Sequence, residues 1–132
     1  MNTKYLMTAS AVFLGATGIL LTFIPEEILK GFGLEATKPL QLIMQIIGAL
    51  YFGFGMLNWM TKSGLIGGIY NRPVAVANVS HFSVAGLALI KGLFSNPELP
   101  GILWITGITY GIFAISFGLI LFRHPIAEHK SE

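Results

Sequence analysis

"PLQLIMQIIGALYFGFGMLNWM", residues 39–60, runs for 22 residues without an Asp, Glu, Lys or Arg. As an α-helix rising 1.5 Å per residue, such a stretch is long enough to cross the ~30 Å hydrocarbon core of a bilayer. Three further stretches, residues 5–24, 73–94 and 101–122, have about the same length and the same lack of interior charge. Lys91 falls in the last turn of the third, where its ammonium can snorkel to the interface. None of the four alternates strictly between polar and apolar side chains, so helices are expected and not the strands of a barrel.

The whole composition agrees. Of 132 residues, 54% are hydrophobic and 11% charged, with a mean hydropathy of +0.73. A soluble domain carries roughly 25% charged residues. Lipid is therefore the expected solvent and the first partner of this chain. Cysteine is absent, which excludes disulfides, thiolate metal sites and cysteine nucleophiles. Every acid is a glutamate, and all six lie in connections or the tail. The net charge of +2 is spread over connections with no basic stripe, so nucleic acid is not an expected partner.

The connections are short, and the expectation is a single domain, residues 1–132. After the first span comes "PEEILKGFGLEATKP", where Pro25, Glu26 and Glu27 suit a helix N-terminus. Ile28, Leu29, Phe32 and Leu34 give that segment an apolar side, so a short interfacial helix is expected. The first span is read as retained, because "IPEE" follows it without a small-x-small cleavage site. The predicted fold is all-α: a polytopic four-transmembrane-helix bundle with a short interfacial helix after the first span.

Orientation follows from basic residues. With four spans both termini share a side with Lys4, Lys62, Arg72, Arg123 and Lys130, against Lys30, Lys38 and Lys91 on the other. Five against three points to an inner-membrane protein with both termini cytoplasmic. Tyr5, Trp59 and Tyr70 form one aromatic level and Trp104 the other.

Helical projection gathers small and polar residues on one stripe per span. These stripes are Thr8, Ala11, Gly15 and Thr22; Gln41, Gln45, Gly48, Gly55, Asn58 and Trp59; Val74, Ala77, Asn78, His81, Ala85 and Ala88; and Gly107, Gly111, Ala114 and Gly118. Large aliphatics such as Ile43, Ile46, Leu50, Leu57, Val76 and Leu87 lie opposite. Without a hydrophobic drive between helices in lipid, small residues permit close approach, so Gly15, Gly48, Gly55, Gly107, Gly111 and Gly118 are the expected packing positions.

At 1.5 Å per residue from Pro73, Asn78 lies about 7 Å deep and His81 about 12 Å deep. Asn58, Trp59, Asn78 and His81 are the candidate ligand-binding residues, with Lys62 and Arg72 at the mouth. The competing structural reading makes His81, Asn58 and Asn78 hydrogen-bonding links between helices. His81 is expected to be neutral and inward, since a charge there costs at least ~2.5 kcal/mol. "NVS" at Asn78 matches a glycosylation acceptor but falls inside a span. "GLIGG", residues 64–68, lacks the Lys-Ser/Thr of a phosphate loop. "HPIAEH" spaces His124 and Glu128 for a metal, but a third ligand is missing and a solvated tail is the reading. No catalytic constellation, cofactor set or metal site is expected.

The stretch "IIGALYFGFGMLNWM", following "IPEEILKGFG", resembles the small four-helix bacterial membrane proteins grouped as DoxX-like, over most of the chain in layout. The resemblance implies an accessory role beside a membrane-protein partner, as some relatives are associated with membrane redox complexes. It transfers no site residue. Two functions are thus expected: a non-catalytic membrane protein, either accessory subunit or binder of a small apolar or amphipathic ligand, and, as the alternative, a minimal oligomeric transporter or channel.

Overall fold

A computed structural model of the chain describes residues 3–64 and 71–122. They form five helices: α1 (Thr3–Phe23), α2 (Pro25–Gly31), α3 (Lys38–Thr61), α4 (Arg72–Ser95) and α5 (Gly101–Phe122). No strand occurs among the described residues. Four helices are long and apolar enough to cross a membrane, and their ends lie within two residues of the expected spans. Tyr70, Arg123, His124, Glu128, Lys130 and most of the glycine-rich connection lie outside the described residues.

The chain divides into two compact units, one holding α1, α2 and α3 and the other α4 and α5. In the first, the N-terminal hairpin, α1 packs on α3; in the second, the C-terminal hairpin, α4 packs on α5.

Helix boundaries follow local chemistry. Pro25 opens α2, Glu26 and Glu27 occupy its first turn and Lys30 its last, each sign matched to the helix dipole. Glu26 and Lys30 also pair at 2.6 Å across one turn on the exposed side. That contact holds the Glu26 carboxyl below its ordinary range, through the Lys30 hydrogen bond first and its charge second. It raises Lys30 correspondingly. The helix stops at Gly33, where φ is +72°, a left-handed conformation that glycine adopts without a Cβ penalty. There the Leu34 N–H donates to the Leu29 carbonyl and the Gly33 N–H to the Lys30 carbonyl, satisfying two terminal acceptors. Pro39 and Pro73 each sit in the first turn of a long helix, where no intrahelical N–H is needed.

Within the spans several threonine hydroxyls bond back to their own helix. Thr8, Thr22, Thr106 and Thr109 each donate at 2.8 Å to the carbonyl four residues earlier. Lipid supplies no hydrogen-bond partner, so local back-bonding removes the cost of an orphan hydroxyl.

The buried stripes agree with the expectation in α3 and depart from it in α4, α5 and also α1. In α1 Met7, Ser10, Ala11, Leu14 and Gly18 are buried, and Thr8, Gly15 and Thr22 are half-buried. In α3 Met44, Gly48, Gly55 and Asn58 are buried, with Ile43, Ile46, Leu50 and Leu57 exposed. Trp59 is a correction: 45% of it is exposed, one position past the stripe. In α4 the stripe runs Ala75, Asn78, Phe82, Gly86 and Leu93. His81, Val74, Ala77 and Ala85 flank it half-buried, and Ala88 is exposed. In α5 it is Gly107, Tyr110, Phe113 and Phe117, with Gly111, Ala114 and Gly118 half-buried beside it. Rings, not small residues, fill this second contact.

Candidate functional site

In the N-terminal hairpin, glycines bring two backbones together. A Cβ placed on Gly18 would lie 2.5 Å from the Phe52 nitrogen and 2.6 Å from the Gly48 carbonyl oxygen. One on Gly48 would lie 2.8 Å from the Gly18 carbonyl, and one on Gly55 2.7 Å from the Gly15 nitrogen. Gly48 and Gly55 thus act as the sequence suggests. Gly15 contributes its backbone, its own missing side chain facing open space. Gly18, which the projection passes over, makes the closest approach to the opposite backbone.

About one turn beyond the Gly15–Gly55 contact lies a polar relay. The Asn58 amide donates to the Ser10 hydroxyl at 3.0 Å, and the Ser10 hydroxyl donates to the Met7 carbonyl at 3.0 Å. Ser10 and Asn58 are fully buried. Such interhelical bonds contribute about 0.6 kcal/mol each on average in a bilayer. Outside this contact, the ammonium of the half-buried Lys62 lies 3.0 Å above the centre of the exposed Trp59 ring, a cation–π pair.

In the C-terminal hairpin, His81 finds its partner on α5. Its Nε2 and the Tyr110 hydroxyl are 3.2 Å apart, with ring centroids 5.5 Å apart. The tautomer decides which of the two donates. Tyr110 is buried because Gly86 leaves room for it: a Cβ there would meet the Tyr110 Cβ at 3.4 Å. Phe82 lies between the polar pair and a stacked group, 5.2 Å from Tyr110, 4.7 Å from Phe113 and 5.8 Å from Phe117 by ring centroids. Asn78 is buried one turn before Phe82, and its amide donates to the Val74 carbonyl at 2.9 Å.

The six residues grouped by sequence therefore belong to two units. Asn58, Trp59 and Lys62 are in the N-terminal hairpin; Asn78, His81 and Arg72 are in the C-terminal one. Ser10, Tyr110 and Phe82 were not singled out by sequence. The signal for Tyr110 exists: the turn near Glu98 lies midway in number between Gly86 and Tyr110, so an antiparallel pair sets them opposite. Gly118 is a correction as a packing position, since a Cβ on it meets nothing within 4 Å, whereas Gly111, like Gly15, contributes its backbone, its nitrogen lying 4.0 Å from a Cβ placed on Gly86. Gly107 makes an ordinary contact, 3.5 Å from Leu93. Among the described residues no three His or acidic side chains gather for a metal, and no buried side-chain nitrogen or oxygen lacks a partner.

The helices define an all-α, multi-pass membrane protein. No family model, curated protein or solved structure matches the chain.

Proposed function

We propose that this protein is a non-catalytic integral membrane protein that binds a small amphipathic ligand on its C-terminal hairpin. The ligand is an apolar molecule with one hydrogen-bonding head, recognised at the His81–Tyr110 pair. One observation carries the reading: an imidazole and a phenol, 3.2 Å apart and backed by stacked rings, within membrane-spanning helices. An ionisable side chain in a span is expensive and marks a functional position by default. His81 is half-buried, whereas Asn58 and Asn78 are fully buried. An accessory role beside a membrane-protein partner is what the DoxX-like resemblance adds.

The test is organic extraction and mass spectrometry of protein purified in mild detergent. A small molecule at near-stoichiometric yield is expected, retained in His81→Gln and lost in His81→Leu at equal folded yield. Solute flux in proteoliposomes without any such molecule replaces the binder with the transporter. The proposed orientation has both termini on the cytoplasmic face of the inner membrane, supported by five Lys/Arg against three. Reporter fusions at Lys62 and at the C-terminus should read cytoplasmic; a periplasmic C-terminus overturns it.

A further inference from the structure

His81 is a base in a set of spans that hold no acid. Residues 5–24, 39–60, 73–94 and 101–122 contain neither Asp nor Glu, and their titratable side chains are Tyr5, Tyr51, His81, Lys91 and Tyr110. Tyr5 and Lys91 stand near helix ends, and a phenol is neutral at ordinary pH. Whatever packs beside α4, no span brings a carboxylate to the depth of His81. Within its own hairpin the imidazole meets the Tyr110 hydroxyl, 3.2 Å from Nε2, and the ring of Phe82, 5.1 Å away by centroids. Ligand heads fare differently against such a base. A cationic head finds no anion in any span and would be desolvated with its charge uncompensated. A neutral hydroxyl makes an ordinary hydrogen bond. A carboxylic acid can enter un-ionised and give its proton to the imidazole, and the two charges then offset each other through a charge-assisted hydrogen bond, roughly twice as strong as a neutral one.

We propose that the head recognised at His81 and Tyr110 is a carboxylic acid, so that the ligand is a fatty acid or an amphiphile of the same chemistry. This rests on the reading of that pair as the ligand site. On binding, the acid O–H bond breaks and leaves its electron pair on the carboxylate oxygen, while an N–H bond forms at the imidazole. No other reactant is needed. As an imidazolium, His81 donates through both ring nitrogens. Nε2 then donates to the Tyr110 oxygen, and the phenol O–H donates in turn to the carboxylate. His81 supplies the charge and Tyr110 the contact. The pair is neutral as a whole, which suits spans that offer no fixed anion of their own.

Histidine nitrogen NMR reads the proton directly. In protein carrying His124→Gln and His129→Gln, His81 becomes the one histidine of the chain. This protein, in mild detergent at mildly alkaline pH, is titrated with dodecanoic acid, dodecanol or dodecylamine. The acid should move both His81 nitrogens to imidazolium positions and saturate at one molecule per protein. Dodecanol should bind about tenfold more weakly and leave the imidazole neutral, the difference between a charge-assisted and a neutral hydrogen bond. The amine should show no saturable binding. His81→Gln keeps a hydrogen-bonding side chain but takes no proton, so calorimetry should find acid and alcohol bound alike. Saturable binding of the amine, or of the alcohol as tightly as the acid with His81 neutral throughout, overturns the carboxylic-acid head and leaves the ligand site standing. An acid preference that persists in His81→Gln does the same. No saturable response of His81 to acid or alcohol overturns both.

Discussion

The two hairpins solve one problem in opposite ways. In lipid, apolar side chains gain nothing from leaving the solvent, so helices must be held by close packing and polar contacts. The N-terminal hairpin removes side chains: Gly18 faces Gly48, Gly55 faces Gly15, and the contact is made by backbone atoms. The C-terminal hairpin fills the space with rings: Phe82 meets Tyr110, Phe113 and Phe117, and Gly86 serves only to admit Tyr110. Their polar contacts differ in the same sense. Close backbones let the short Asn58 and Ser10 side chains reach each other, while His81 meets a phenol on the opposite helix. Glycine contact leaves no slack, whereas a ring cluster leaves grooves beside it.

The largest expected effect tests the glycine side of that contrast. Gly18→Leu drives a side chain into the Phe52 and Gly48 backbones, which cannot yield as a flexible side chain would. It should cost on the order of 3 kcal/mol and strongly lower folded yield in mild detergent. Gly111→Leu, the same change where no neighbour lies within 4 Å, should fold at nearly parental yield. Equal damage at both positions breaks the comparison.

A smaller loss is expected on the ring side. Phe82→Ala removes four ring contacts, with His81, Tyr110, Phe113 and Phe117, but regains no solvation penalty in lipid, so the loss should be about 2 kcal/mol, less than for the same change in a soluble core. Phe82→Leu should lose about half of this, because rings tolerate replacement by another bulky group better than a glycine contact tolerates any bulk. Denaturation in mixed micelles measures both, and a Phe82→Ala effect near zero would remove the cluster as the organising contact.

The smallest effect belongs to α2, outside either packing style. Glu26 is held below its ordinary range by Lys30, so the pair's contribution is present above the unfolded carboxylate value of roughly 4. It is lost as the pH falls further, through the lowered folded value. Both groups are exposed, so titration should shift the Glu26 carboxyl resonance downward in pH and leave folding of the long helices unaffected. Lys30→Ala should return Glu26 to its ordinary value.

Much of the site was legible at the level of residue type. His81 stood out as the ionisable side chain deep in a span, and Asn58 and Asn78 as its polar neighbours in depth. Their partners were less visible. Tyr110 reads as one more aromatic in an apolar run, and Ser10 as one more small residue in α1, until the register of the antiparallel pair is fixed. The projection ranked faces by the size of their residues, which identifies the interior only where glycine makes the contact.

Sequence by itself determined the four spans, because their length and hydropathy answer to the thickness of the bilayer and to nothing else in the chain. It also determined where helices start and stop, since Pro25, Pro39, Pro73 and Gly33 act through their own backbones. Only the tertiary structure decided which face of each helix turns inward. A leucine, a phenylalanine and a glycine are equally at home against lipid, so hydropathy carries no mark of the interior. The side chain on the opposite helix supplies that mark, and His81 owes its place at the margin of the α4 stripe to Phe82 having filled the centre.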